Sequence, residues 1–378
     1  MGTRTTGASL TLVQAALRRG LNVTVISAPH DIVDGAFAPQ VQVAYLEPHP
    51  SAVTSWLQTQ HPDEYAARSL RVTTTNDNYA RLAAQVADHA GLPGPCPSDV
   101  ARCVSKARQK ALLLKHGLPS ARFVTGSLTD LPTLLRRVEA LNFPVVAKPA
   151  EASASDGVKL CFDRRELQQH MTELQHRSSP AVPNPVCEEV VVEEYVPGEE
   201  YCVECFDGRY VGAIRKLKQP GYSFQERGYT SELGLDERAL RRMKDVCTHA
   251  VEIAGLAWGP VHIDCIVTSG HASIVELNPR IAGSFICEVV RDSYGFDAVG
   301  SLLDKLDGCF TPPADLLFPT RYARVELLLD SEGGTREFAD AATLSSQSMS
   351  ISYGIQRLRN NRLRSFVYVR ANTAEPPC

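Results

Sequence analysis

The sequence predicts an α/β fold built from two or three packed lobes. At 378 residues the chain is too long for one ordinary hydrophobic core. Helix-period and strand-like runs alternate along it, as expected of layered α/β architecture. Proline and glycine cluster at residues 93–97, where one lobe can hand over to the next.

Ser9 can cap a helix that runs to Arg19 and stops at Gly20, and residues 22–26 then alternate as a buried strand. Gly2 and Gly7 precede this helix as in a Gly-rich turn, an arrangement common in nucleotide-binding α/β halves. The first strand expected of such a half is not read ahead of this helix. Residues 41–45 and 70–72 read as short strands, and Thr75 or Asn76 starts a helix with Tyr79, Leu82, Ala83 and Val86 on its apolar side. Residues 1–95 are therefore expected to form a Rossmann-like α/β domain. Ser98 caps the next helix, which carries Val100, Val104, Ala107, Ala111 and Leu114 and ends at Gly117 and Pro119.

Residues 96–118 read as a linker helix, 119–191 as a small lobe and 192–378 as a large lobe. Further strands are expected at 122–125, 145–148, 190–192, 201–206, 261–267, 273–277, 322–329 and 366–369. Helices are expected at 131–141, 237–254 and 285–294, and a Ser- and Pro-rich loop at 177–185. No internal repeat and no coiled-coil heptad pattern is present.

The net charge of −4 argues against a nucleic-acid partner, because no basic excess exists to neutralise phosphates. The basic pairs Arg18-Arg19, Arg136-Arg137 and Arg241-Arg242 read as solvated helix faces. No run reaches the roughly 18 apolar residues that span a bilayer, and residues 1–10 lack the apolar core of a signal peptide. A soluble cytoplasmic protein is expected, with no membrane partner. The cysteines number 11, odd and scattered, so reduced thiols in apolar positions are expected instead of disulfides. Cys202 and Cys205 lie three apart in a strand-like run, which puts their sulfurs on opposite faces and speaks against a zinc or redox pair.

Three runs carry chemistry. In Val275-Glu276-Leu277-Asn278-Pro279-Arg280, a strand points Glu276 and Asn278 to one face, two hard oxygen ligands suited to Mg²⁺. The preceding strand puts His262 and Asp264 on one face, so two neighbouring strands can gather Asp264, Glu276 and Asn278. A solvated hairpin edge is the plain alternative for one such strand. Two apolar strands with inward acids argue against it, since a buried charge costs several kcal/mol (order of magnitude) unless paired or metal-bound. In Pro144-Val145-Val146-Ala147-Lys148-Pro149, the lysine ending an apolar strand needs an anion, and residues 150–157 are small and polar, as a phosphate-holding loop or an exposed turn would be. In residues 190–201, a hydrophobic strand enters an acidic hinge containing Glu193, Glu194, Val196 and Glu200, which suits ribose and adenine recognition or a charged turn.

In this order and spacing the runs resemble the ATP-grasp superfamily over residues 98–308. The resemblance implies an ATP-grasp fold behind an N-terminal Rossmann-like domain, with ATP and two Mg²⁺ ions (or Mn²⁺) as cofactors. It implies that Lys106, Lys148, Ser153, Ser155, Gly157 and Lys216 hold the phosphates, with Lys218 as an alternative to Lys216. Glu193, Glu194 and Val196 would form the adenine hinge, and Glu200 would meet the ribose. Asp264, Glu276 and Asn278 would bind metal, and Arg280 would stabilise the reacting phosphoryl group. The run from Glu276 to Ser284 is similar to carboxylate–amine ligases, the L-amino-acid (dipeptide) ligases above all. Asp264 departs from the glutamate frequent in those enzymes. The phosphate loop is less glycine-rich than in biotin carboxylase.

This implies a small-molecule carboxylate and amine as substrates, joined through an acyl phosphate, and is compatible with a homodimer. Glu226 in a substrate loop at 224–231, His262, and Gly283 and Ser284 at the start of the next helix are the expected substrate contacts; a packed structural histidine is the other reading of His262. The rivals are another ATP-grasp reaction, such as carboxylation or ligation of a non-amino-acid, and a non-catalytic nucleotide-binding protein. A kinase is disfavoured because nothing resembles its catalytic loop.

Overall fold

The computed structural model describes residues 1–3, 7–31, 33, 37–152, 155–178, 186–218, 224, 226–268, 271–313, 316–328, 349–357 and 363–371. The chain begins with α1 (Gly7–Arg18), β1 (Thr24–Ser27), β2 (Gln42–Tyr45), α2 (Pro50–Gln60), α3 (Pro62–Ala66) and α4 (Asp77–His89). β1 and β2 pair in parallel, and Ile26, Val53, Leu57, Tyr79 and Val86 form the core between them and the helices. Ser9 lies inside α1 and does not cap it; its hydroxyl bonds that of Thr75. Residues 70–72, expected as a strand, are irregular. Leu70 and Val72 still pack against this core, while the Met1 amine donates to Thr73 O and Gly2 N to Ile26 O, both at 2.7 Å. These few bonds hold an extended strip without completing a ladder.

Next come α5 (Pro97–Val104) and α6 (Lys106–Lys115), where one helix was expected. Ser105 is extended and caps α6 through its hydroxyl, while Pro97, not a Ser98 cap, opens α5. A one-residue break leaves the apolar period nearly intact, which is why the sequence reads as continuous. A four-stranded antiparallel sheet follows: β3 (Phe123–Ser127), then α7 (Leu131–Val138), β4 (Val145–Pro149), β5 (Lys159–Cys161), α8 (Arg164–Arg177) and β6 (Glu189–Glu194), in spatial order β3-β6-β4-β5. A 3₁₀ turn joins β3 to α7. Leu134, Val138, Leu167, Met171 and Leu174 cover one face of it. The expected loop at 177–185 lies mostly outside the described residues.

The third sheet has eight strands, in spatial order β11-β10-β7-β8-β9-β12-β14-β13. In chain order these are β7 (Glu199–Phe206), β8 (Arg209–Lys218), β9 (Glu226–Thr230), α9 (Glu237–Ala254), β10 (Pro260–Val267), β11 (Ala272–Asn278), α10 (Ile286–Tyr294), α11 (Ala298–Leu306), β12 (Tyr322–Leu328), β13 (Met349–Arg357) and β14 (Leu363–Ala371). α9 packs on one face through Leu240, Met243, Cys247 and Val251, and α1, α10 and α11 pack on the other. Cys202 and Cys205 fall in these two separate cores, as their spacing required. The cysteines are free among the described residues, which also contain no helix long and apolar enough to cross a membrane.

The segment at 224–231, expected as a loop, holds β9 instead, paired on both sides. Gly228 makes this possible. Its φ is +150°, and a Cβ there would sit 1.9 Å from the backbone oxygen of Val325 on β12. Gly228→Ala should therefore destabilise the fold by about 2 kcal/mol or more, since neither backbone can yield without losing the ladder. Thermal unfolding measures this, and an unchanged melting temperature would show that β9 and β12 do not pair here.

Candidate active site

Strand pairing brings the chemistry together. β10 and β11 are antiparallel, with Asp264 opposite Glu276 and His262 opposite Asn278. These four side chains therefore rise from one face, as period-two spacing requires. β7 lies on the other side of β10 and puts Glu204 opposite His262. β8 adds Lys216, and Gln109 of α6 fixes β11 from behind through bonds to the Leu277 backbone at 2.7 and 2.8 Å.

The result is a cleft of about 1430 Å³ between the four- and eight-stranded sheets, lined also by residues of α1 and the start of α4. Arg280, Lys106, Lys148, Ser155, Glu193, Glu194, Val196, Glu200, Lys216, Asp264, Glu276, Asn278, Glu226, His262, Gly283 and Ser284 all line it. Gly157 does not: with φ +71° it tucks against Pro149 and Leu174. Ser153 lies outside the described residues. Gly283 and Ser284 precede α10 instead of starting it, since the helix begins at Ile286 with Phe285 as its cap. Ser155 and Ser284 are both held at positive φ, 57° and 52°, an uncommon conformation for non-glycine residues.

Buried charges are paired in three groups. Lys216 bridges Glu200 at 2.7 Å, Asp264 at 2.8 Å and Glu226 at 3.3 Å, while Lys218 takes the other oxygen of Glu200. Burial alone would discharge Lys216, but Asp264 and Glu200 outweigh it and hold the ammonium well above its ordinary value. Burial would likewise protonate Asp264; Lys216 and His262 instead hold its carboxyl far below the usual range. In the second group, Glu193 meets both Lys148 and Lys110, whose attraction overcomes burial and depresses its carboxyl to about 2. In the third, Lys106 pairs with Glu276 at 2.9 Å and donates to Ala152 O at 2.6 Å.

His262 joins Glu204 at 2.6 Å and Asp264 at 3.3 Å. Burial opposes its charge, yet the two carboxylates raise it to about 10. An imidazole raised in the folded state stabilises fully below its unfolded value near 6.5 and loses that contribution as pH rises through about 10. Its NMR resonances should thus show imidazolium throughout pH 6–8; a midpoint near 6.5 would mean that the ion pairs do not form.

Lys110, Glu204 and Asp77 were not among the residues singled out in the sequence. Lys110 had a signal: it lies four after Lys106, hence on the same helix face. Glu204 is two residues from Cys202 in a strand and so shared its face. Asp77, which grips Arg280 through both carboxylate oxygens, had none, because 203 residues separate the pair.

A cleft between a four-stranded antiparallel sheet and an eight-stranded one, each carrying lysines paired with acids, has the arrangement of the ATP-grasp fold. Residues 141–288 match the ATP-grasp domain model. It superposes on the crystal structure of L-amino acid ligase from Bacillus licheniformis with a TM-score of 0.74 and 20% identity, covering 96% of this chain and 90% of that one. It also superposes on the biotin carboxylase domain of Hydrogenobacter thermophilus 2-oxoglutarate carboxylase, solved with MgADP, at a TM-score of 0.68 and 14% identity, covering 98% and 86%. Among curated proteins it is 28% identical over 305 residues to the uncharacterized protein y4rH of Sinorhizobium fredii, covering 79% of this chain and 60% of that protein. It is 26% identical over 226 residues to D-alanine–D-alanine ligase of Lacticaseibacillus casei, covering 57% and 59%. The chain thus spans about 60% of the length of these curated relatives.

Proposed function

We propose that this chain is an ATP-dependent carboxylate–amine ligase that joins an amino acid to a second small molecule through an acyl phosphate. The observation that carries this reading is the cross-strand pair of Asp264 and Glu276 beside Asn278, facing Lys106, Lys216 and Arg280 in one cleft. Relatives that join amino acids, such as the D-alanine–D-alanine ligase, support the choice of substrate class. The cytoplasm, where ATP is available, is the setting that this reading implies.

The donor set fits two magnesium ions: two carboxylates and a carboxamide are hard oxygen ligands, and protein ammonium groups already neutralise the acids. Bound magnesium would neutralise charge on the phosphate oxygens. Lys106 and Lys148, now held by Glu276 and Glu193, sit where nucleotide phosphates can share them. Lys110 stays on Glu193, so Lys148 can turn to a phosphate without leaving a buried carboxylate unpaired. Glu194 and Val196 line the cleft where they would border adenine, and Glu200 where it would meet the ribose.

A substrate carboxylate oxygen bonds to the γ-phosphorus as the bond to the β-phosphate oxygen breaks, releasing ADP. The amine then bonds to the acyl carbon, phosphate leaves, and the ammonium proton passes to solvent. Arg280 and protonated His262 supply fixed positive charge for these oxyanions. The lobes hold both substrates in line and keep water from the acyl phosphate.

The test is ADP and phosphate release from MgATP with amino acids and other carboxylates, singly and in pairs, with products identified by mass spectrometry. A new amide formed only from an acid plus an amine establishes the ligase. Turnover with bicarbonate alone would establish a carboxylase instead.

A further inference from the structure

Arg280 does not stand free in the cleft. Its Nη2 lies 2.6 Å from Asp77 Oδ2, its Nε bonds Asp77 Oδ1, and its Nη1 donates to Ile281 O at 2.9 Å. A guanidinium carries five N–H donors in a rigid plane. Three are taken by these protein acceptors, and one remains on each terminal nitrogen.

Asp77 is itself firmly placed. It opens α4, whose N-cap Asn76 accepts from Asn78 N at 3.1 Å and donates to Gly2 O at 3.0 Å. The clamp therefore runs from the N-terminal α/β unit to the end of β11, across the cleft that both residues line. A two-point carboxylate–guanidinium pair fixes the orientation of the plane as well as its position. Arg280 is nearly buried, its side chain 12% exposed.

We propose that Asp77 is a positioning residue: it sets the plane of Arg280 so that the two remaining donors meet the transferring phosphoryl oxygens. The N-terminal unit thereby contributes to phosphoryl transfer without touching the nucleotide. This rests on the ligase reading for its chemistry, but the orientation itself is open to a binding test that needs no turnover.

The probe is inorganic phosphate bound to the protein saturated with MgADP, measured by calorimetry for wild type, Asp77→Asn, Arg280→Lys and the double variant. Asp77→Asn, which keeps one oxygen acceptor for the guanidinium, should weaken phosphate about tenfold with ADP affinity nearly unchanged, in a protein that circular dichroism shows to be folded. The double variant should bind phosphate no worse than Arg280→Lys alone, because Asp77 acts only through that guanidinium. In turnover, Asp77→Asn should lower kcat 10- to 100-fold with little change in KM for ATP. Additive losses in the double variant would overturn the proposal, as would unchanged phosphate affinity in Asp77→Asn. A wild type that forms no amide from any pair would sink the ligase reading alone, and the phosphate comparison would still decide the role of Asp77.

Discussion

Glu276→Ala is expected to lower ADP release by about three orders of magnitude or more, which corresponds to about 4 kcal/mol of lost transition-state stabilisation. Glu276 stands opposite Asp264 and two residues from Asn278, so its removal takes one of two carboxylates from the proposed metal set. It also releases Lys106, whose ammonium keeps only the Ala152 carbonyl. The fold should survive, because the side chain is partly exposed at 22% and Gln109 still pins the Leu277 backbone. Glu276→Gln separates charge from shape: it can still accept from Lys106 and should lose nearly as much activity. The measurement is coupled ADP release beside circular dichroism. Undiminished turnover in a folded variant would refute the metal assignment.

Lys216→Met should produce the largest loss of stability. Glu200, Glu226 and Asp264 converge on this one ammonium, which is itself buried. Without it, two acids that are almost wholly enclosed keep only Lys218 and His262 as counter-charges. Removing one partner of a buried ion pair typically costs about 3–5 kcal/mol, far more than an exposed pair contributes. Magnesium should partly restore what the lysine supplied, so the variant should gain more in melting temperature from Mg²⁺ than wild type does. Melting curves in EDTA and in Mg²⁺ read both effects. Equal stability of variant and wild type in EDTA would show that Lys216 is not the counter-ion of this cluster.

Local pattern carried much of the architecture. The apolar runs at residues 145–148, 190–192 and 261–267 fell within β4, β6 and β10, and the helix expected at 237–254 is α9, capped by Asp236 and closed by Gly255 at φ +74°. Period-two spacing also put Glu276 with Asn278, and His262 with Asp264, on common faces. β9 reads as a substrate loop in the sequence, because its run is short and its pairing partners lie on β8 and the distant β12.

Which residues each strand and helix offers to one face is legible in the chain, since it follows from backbone periods of 2 and 3.6. Which faces meet is not, because it is set by how the elements pack and pair. The register that opposes Asp264 to Glu276 is set where β10 and β11 pair, while the closing of Lys148 on Glu193 and the grip of Asp77 on Arg280 join residues 45 and 203 apart in the chain. A one-residue slip in such pairing would send every charge to the opposite face, and no local pattern fixes it; burial of the sheets against their helices does.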